Sequence, residues 1–155
     1  MLKSMGELSQ LLGVELTETK LIPQCTSGIN KSDFRVRIES LKALTTLSMR
    51  LGQQKFTQYV LPVLGPLLHD SEDMVIVEAI KMYNQFVKTR LIAQSDCIEV
   101  FQTMFPYLLH PNKQIREGAV NYIVLISNPV TDGAMSEAQR RPILGAEEFY
   151  VFVRS

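Results

Sequence analysis

Three segments of the sequence repeat one another, and this repetition constrains the fold more than any other feature. They are DFRVRIESLKALTTL from Asp33, EDMVIVEAIKMYNQF from Glu72 and NKQIREGAVNYIVLI from Asn112, at offsets of 39 and 40 residues. Within each segment the apolar positions fall at i, i+4, i+5, i+8 and i+11, the spacing of one face of an α-helix and not of a strand. We therefore expect the segments to be helices that stack on one another around a shared core.

Residues at equivalent positions of the three segments agree in character. The equivalent apolar positions are Val36, Val75 and Ile115; Leu41, Ile80 and Val120; Leu44, Tyr83 and Ile123; and Leu47, Phe86 and Ile126. A small residue occupies one further position, as Ser40, Ala79 or Ala119, and we expect it to let a neighbouring helix approach closely. The predicted N-caps are Ser32, Ser71 and Asn112, with Ser95 or Asp96 capping an additional helix.

An amphipathic segment precedes each of the three repeated ones, so the sequence predicts helix pairs. The predicted pairs are residues 17–29 with 32–51, 53–68 with 71–89, and 96–109 with 112–127. The residues predicted to face inward from the first helices are Phe56, Val60, Val63, Leu64 and Leu67 in the second pair and Ile98, Phe101, Phe105 and Leu108 in the third. Pro23, Pro62 and Pro106 lie inside first helices and are predicted to kink them, because proline removes a backbone hydrogen bond. The predicted fold is all-α, an α-solenoid of antiparallel helix pairs.

The flanking sequence predicts that the array extends past these three pairs. We expect repeats at about residues 17–51, 53–89 and 96–127, a linker at 128–145, and the start of a further amphipathic helix at 146–155. The linker is predicted because Pro129 ends the preceding helix and a Thr-Asp-Gly turn follows. Residues 1–155 are thus interpreted as one helical repeat region and a fragment of a longer array.

Composition and charge exclude several classes of protein. Sixteen Lys and Arg residues balance sixteen Asp and Glu residues, so no overall field favours nucleic acid as a partner. Cys25 and Cys97 do not form a CxxC motif and are interpreted as free, buried thiols of a reducing compartment. The first residues lack the apolar core of a signal peptide, and the longest apolar stretch, YVLPVLGPLL, is shorter than the roughly 20 residues that span a bilayer. We predict a cytoplasmic protein without a transmembrane segment.

The two histidines raise the question of a metal or catalytic site. His69 and His110 each follow a Leu–Leu pair. Metal ligands must lie about 2 Å from one ion, whereas helices of adjacent repeats stack about 8–10 Å apart. We therefore interpret the histidines as equivalent positions in two repeat turns. The sequence contains no GxSxG, GxxxxGK[ST], GxGxxG or HExxH motif. No catalytic residue, metal or cofactor is predicted.

A polar stripe on the outer face of the repeated helices is the candidate protein-binding face. Its predicted residues are Arg35, Glu39, Lys42 and Arg50 on the first repeated helix, and Glu78, Lys81 and Gln85 on the second. A Glu–Lys pair at i,i+3 recurs in both helices. The third helix has Gly118 and Asn121 at the corresponding places, so the stripe is not uniform. The alternative interpretation is a solvated face with weak ion pairs.

The repeated segments resemble HEAT repeats, in which a Val or Ile followed by Arg opens the second helix. Val36–Arg37 and Ile115–Arg116 match this pattern, whereas Val75–Ile76 lacks the arginine. The HEAT pattern also places an aspartate five residues before that Val, and Asp70 fits where Lys31 and His110 do not.

A narrower resemblance covers about residues 17–155. The stretches LPVLGPLLHDSEDMVIVEAI, PYLLHPNKQIREGAV and GAEEFYVFV resemble the HEAT region of the protein-kinase-like regulatory subunits, of the Vps fifteen type, of class III phosphatidylinositol 3-kinase complexes. The resemblance implies a kinase-like domain before this region and a WD-repeat propeller after it. It implies a bridge that holds the lipid kinase and Beclin-type partners on endosomal or autophagic membranes. The alternative is another HEAT scaffold, of the protein phosphatase 2A type, or a trafficking adaptor.

Overall fold

All regular secondary structure in the described residues, 17–127, is helical in the computed structural model. A π-helical turn, Thr17–Leu21, leads into the first of seven α-helices in this range. They are α1 Ile22–Ile29, α2 Phe34–Ser48, α3 Gln53–Tyr59, α4 Leu61–Leu64, α5 Asp73–Lys88, α6 Gln94–Met104 and α7 Lys113–Ser127. Two 3₁₀ turns, Gly65–His69 and Phe105–Leu109, follow α4 and α6. The prediction of an all-α helical repeat fold is confirmed.

Helix α5 lies between the two other repeated helices, packing against α2 on one side and α7 on the other. Ten of its sixteen residues are buried, compared with six of fifteen in α2 and four of fifteen in α7. The Phe86 ring of α5 packs edge-to-face against Phe56 of α3, with 4.6 Å between ring centroids. The Tyr122 hydroxyl of α7 donates a 3.0 Å hydrogen bond to the Cys97 carbonyl of α6. The core therefore runs continuously through both sets of helices.

The first helices of the pairs are broken into segments. Residues 53–68, predicted as one kinked helix, form α3, α4 and a 3₁₀ turn. Pro62 lies in the first turn of α4, and Pro66 and Pro106 lie in the first turns of the two 3₁₀ segments. Proline begins a segment readily because the first N–H groups of a helix have no intrahelical partner. Pro66 and Pro106 are each nine residues before the first repeated Val or Ile of the next repeated helix, so they occupy equivalent positions.

Two of the three repeated helices have their N-cap one residue after the predicted one, and the third is as predicted. Asp33 caps α2, since its side chain accepts the Arg35 N–H at 2.9 Å, and the predicted Ser32 does not. Glu72 stands at the N-cap of α5 without a side-chain bond, so the prediction of Ser71 was wrong. The equivalent residue before α7 is Asn112, whose side chain accepts the Gln114 N–H at 2.9 Å, as predicted.

Helix α6 begins earlier than predicted. Its N-cap is Ala93, and both Ser95 and Asp96 lie inside its first turn. The predicted inward position Phe105 is 49% exposed, while Met104 is fully buried. Residues three and four positions after Phe101 lie on the same side of the helix, and the earlier of them, Met104, takes the core position, while the Phe105 ring packs edge-to-face against Phe101 with 6.0 Å between ring centroids.

Two positions of the apolar repeat are exposed where their equivalents on α5 are buried. Val36 is 40% exposed and Val120 is 50% exposed, compared with 0% for Val75 and 1% for Ile80. Helix α5 has a repeated helix on both sides. Within residues 17–127, α2 and α7 have one on a single side. The difference follows from the place of each helix in the stack.

Small residues set two close helix contacts. A Cβ atom added at Gly118 on α7 would lie 2.7 Å from Ile80 Cγ2 on α5. A Cβ atom at Gly28 on α1 would overlap the Ser40 hydroxyl, so Ser40 is the small residue that lets α1 approach α2. Gly65, by contrast, has no atom within 4 Å of an added Cβ. The stack therefore leaves no room for a side chain at Gly118 and ample room for one at Gly65.

Gly118→Ala is expected to lower the free energy of unfolding by about 1 kcal/mol. Overpacking against a β-branched side chain costs about 1–3 kcal/mol, more than the ~1 kcal/mol gained in helix propensity. Gly65→Ala is the matched control and should leave stability unchanged or raise it by up to about 1 kcal/mol. Urea denaturation of the two variants checks this. Equal stability of the two variants would contradict the close packing of α5 and α7.

Candidate functional site

The structure brings four of the predicted face residues to one shallow groove between α2 and α5. Lys42 of α2 and Glu78, Lys81 and Gln85 of α5 line a depression of about 250 Å³. Thr45, Thr46 and Met82 complete its lining. We name this depression the α2–α5 groove. Thr45 and Met82 were not predicted because each lies one helical position beside the polar stripe.

The recurrent Glu–Lys pairs are formed in both helices. Lys42 Nζ lies 2.8 Å from Glu39 Oε1, and Lys81 Nζ lies 3.5 Å from Glu78 Oε2. The hydrogen bond to Glu39 raises the pKa of Lys42, and the charge of Glu78 on the neighbouring helix adds to this. Both lysines are more than half exposed, so the pairs contribute little to stability. They keep two cations and two carboxylates available to solvent.

The other predicted face residues lie outside the groove. Arg35 is in the first turn of α2, with its guanidinium 5.8 Å from the Phe34 ring centroid. Arg50 follows the end of α2 and is exposed. On α7, Gly118 turns toward α5 and its carbonyl accepts a 3.2 Å hydrogen bond from Asn84 Nδ2. The charged stripe is thus concentrated on α2 and α5.

The two histidines are not equivalent positions, so that interpretation was wrong. His69 is the last residue of one 3₁₀ turn, whereas His110 follows the other turn, at the place that Asp70 takes after the first. The Nδ1 atom of His110 accepts the Asn112 N–H at 3.1 Å, as Asp70 Oδ1 accepts the Glu72 N–H at 2.9 Å. Each histidine follows a Leu–Leu pair, but the second pair lies one residue later in its repeat than the first pair does. The shared letters therefore suggest an equivalence that the hydrogen bonds do not show.

The aspartate–arginine pairing expected of HEAT repeats is present between the first two pairs. Arg37 Nη2 donates a 2.8 Å hydrogen bond to Asp70 Oδ1, and both side chains are largely buried. Arg37 also donates to the carbonyl oxygens of Lys31 and Ser32, and Arg116 makes the equivalent bonds to His110 and Pro111.

The next pairing is replaced by a different contact. Ile76 and His110 stand where an arginine and an aspartate would pair, so the two departures from the pattern are the two ends of one missing ion pair. In its place, Asn112 Nδ2 donates a 2.9 Å hydrogen bond to Asp73 Oδ2. His110 Nε2 lies 3.9 Å from the other oxygen of the same carboxylate.

The described part of the chain offers little for metal or thiol chemistry. In residues 17–127 no group of three or more His, Cys, Asp or Glu side chains could hold a metal ion. Cys25 and Cys97 are buried, as predicted, and no disulfide joins them. Burial raises the pKa of each thiol to about 11, so both are protonated near neutral pH. None of the helices in this range is long and apolar enough to cross a membrane.

Asp70→Ala is expected to lower the free energy of unfolding by about 2 kcal/mol. It removes a hydrogen bond to a charged, partly buried group and the cap on the Glu72 N–H. Lys42→Ala breaks an exposed pair and should change stability by less than about 0.5 kcal/mol. Thermal or urea unfolding of both variants tests this. A loss for Asp70→Ala no larger than that for Lys42→Ala would show that the inter-repeat pair does not stabilise the stack.

Comparison with known proteins agrees with the geometry. Residues 1–136 match the family model described as PIK3R4-like, middle domain. The chain is 24% identical over 131 residues to a non-specific serine/threonine protein kinase of Candida glabrata, covering 84% of the chain and 9% of that protein. It is 24% identical over 125 residues to a probable serine/threonine-protein kinase vps15 of Dictyostelium discoideum, covering 81% of the chain and 6% of that protein. The chain spans less than a tenth of either relative and belongs to the PIK3R4-like family, matching its middle domain.

Proposed function

We propose that this chain is a non-catalytic protein-interaction scaffold within a regulatory subunit of the class III phosphatidylinositol 3-kinase complex. Membership of the PIK3R4-like family supports the assignment to this complex. The stack of helix pairs supports the scaffold activity, since helical repeats expose extended surfaces for partners. In this proposal the subunit acts in vesicle trafficking and autophagy. It is cytoplasmic and associates peripherally with endosomal or autophagic membranes.

The α2–α5 groove is the observation that carries the proposal. Its lining includes two lysines, one glutamate and one glutamine, on helices whose positions are fixed by the core. Such a mixed surface suits a polar protein partner with complementary charges. By resemblance, the proposed partners are the lipid kinase catalytic subunit and Beclin-type subunits. Arg35, Glu39 and Arg50 extend the proposed face along α2.

The names of the relatives refer to protein kinase activity, but the matched region is a small part of each. A kinase domain needs a phosphate-binding loop and a catalytic loop, and neither pattern occurs in the sequence of this chain. In the proposal, any phosphoryl transfer by the whole protein belongs to another region. In the proposal, the chain itself binds partner proteins and positions them.

Charge reversal on the groove tests the proposal. The purified chain and the double variant Lys42→Glu/Lys81→Glu would be titrated by calorimetry against a complex of class III lipid kinase catalytic subunit and Beclin-type subunit. We expect the Kd to rise at least about tenfold, because reversing two charges opposes the partner's complementary field.

Lys113→Glu is the matched control for this titration. Lys113 is an exposed lysine of α7 with a glutamate one turn away, outside the groove. The Lys113→Glu variant should leave the Kd unchanged. Circular dichroism should show the same helix content for the unmodified chain, the double variant and the control. Equal binding by the double variant, or equal weakening by the control, would contradict the assignment of this face.

A further inference from the structure

A second surface feature is a cleft of about 360 Å³ on the side of the first helices. Residues of α4 and the following 3₁₀ turn form one wall, and residues of α6 form the other. Leu61, Pro62 and Leu68 contribute apolar surface on the first wall, and Val100 contributes it on the second. The volume lies within the range of pockets that hold ligand side chains or small molecules. The cleft shares no residue with the α2–α5 groove.

The local sequence explains why the cleft is open. The chain breaks its helix after Tyr59 and changes to 3₁₀ geometry at Gly65. Gly65 lines the cleft without a side chain, and an added Cβ would meet nothing within 4 Å. The equivalent residue in the next pair is Phe105, a large ring. A glycine in place of a bulky residue therefore leaves this space unfilled.

Tyr83 and Glu99 are the two polar side chains on which binding in the cleft would depend. Tyr83 is only 1% exposed, and its hydroxyl makes no hydrogen bond within residues 17–127. Glu99 is exposed on α6 and forms no ion pair with any group in that range. Its charge lies near Tyr83, whose pKa is raised by burial and further by Glu99.

Asp96 adds a second carboxylate one helical turn before Glu99. Its Oδ2 atom is buried and accepts no hydrogen bond, while Oδ1 accepts the Ser95 hydroxyl at 3.3 Å. Arg90 and Asp96 act in opposite directions on the pKa of Cys97, so both charges lie near that thiol. Neither Lys nor Arg lines the cleft itself. The cleft therefore carries two carboxylates, of which Glu99 is the more exposed.

We propose that this cleft binds an arginine side chain presented by an extended basic segment of a partner protein. The aliphatic stem would pack on Leu61, Leu68 and Val100, as the stems of long cationic side chains do on apolar surfaces. The guanidinium would donate hydrogen bonds to the Glu99 carboxylate and the Tyr83 hydroxyl oxygen. Arginine fits better than lysine because its planar group holds several donors in a fixed fork that can reach two acceptors at once.

A blocked pentapeptide, acetyl-Ala-Leu-Arg-Leu-Ala-amide, tests the proposal. It would be titrated into the ¹⁵N-labelled 155-residue chain, with the citrulline form as a neutral peptide of the same shape. Saturable shifts are expected at the Gly65 and Thr103 amides, with affinity for the arginine form at least about tenfold higher, since hydrogen bonds to charged groups are stronger than those between neutral groups. Equal affinity for the two peptides, or no saturable shift at about 5 mM, would overturn the proposal.

Three variants locate the binding. Gly65→Leu places a side chain in the cleft and should abolish the shifts, and Glu99→Gln should weaken binding about tenfold or more. Glu117→Gln removes an exposed carboxylate on α7 and should have no effect. Undiminished binding by both Gly65→Leu and Glu99→Gln, or shifts confined to the α2–α5 groove, would contradict a site in this cleft. Because Glu99 is an exposed residue, its variant is expected to fold even if Gly65→Leu does not.

Discussion

The burial of α5 on two sides is the packing constraint on which the described structure depends. Its residues Val75, Ala79, Phe86 and Val87 are fully buried, and it contacts both α2 and α7. An amphipathic helix with one apolar stripe can pack against a neighbouring helix on only one side. Helix α5 instead buries Ile76, Val77 and Met82 beside its main stripe, so it can hold two. Removing contacts on either side of α5 would therefore loosen a neighbouring helix pair.

The surfaces with proposed binding activity follow from this stack. Small residues fix the distance between neighbouring helices, with Gly118 against Ile80 and Ser40 against Gly28. The outer stripes of α2 and α5 meet where these two helices pack together, and they form the α2–α5 groove. On the other side, the shortened segments α3 and α4 and the absent side chain of Gly65 leave a cleft beside α6. The α2–α5 groove is a consequence of regular helix packing, and the cleft is a consequence of a local departure from it.

The sequence predicted the parts of the fold that follow from helical periodicity. The cores of α2, α5 and α7 were found because their apolar spacing repeats three times, and Leu44, Phe86 and Ile126 are fully buried as expected. The recurrent Glu–Lys pairs were likewise predicted, since i,i+3 neighbours on a helix meet whatever packs behind them.

The remaining features depend on geometry that periodicity does not report. Periodicity does not distinguish the positions i+3 and i+4 after Phe101, so it placed Phe105 in the core where Met104 is buried. A match of three letters placed His110 opposite His69, although hydrogen bonding places it opposite Asp70. The cleft could not be predicted from the sequence, because it is left open by the absence of a side chain at Gly65. The residues predicted at 128–155, including the linker and the further helix, lie outside the described range.

Native-state hydrogen exchange tests most directly the claim that α5 is the shared element of the stack. We expect amides in the middle of α5, such as those of Ala79 and Tyr83, to exchange only through global unfolding. Their free energy of exchange should then equal the free energy of unfolding from urea denaturation. Amides of α1, which packs mainly on α2, should exchange at a lower free energy. Exchange of the α5 amides at a lower free energy than those of α2 and α7 would contradict the account.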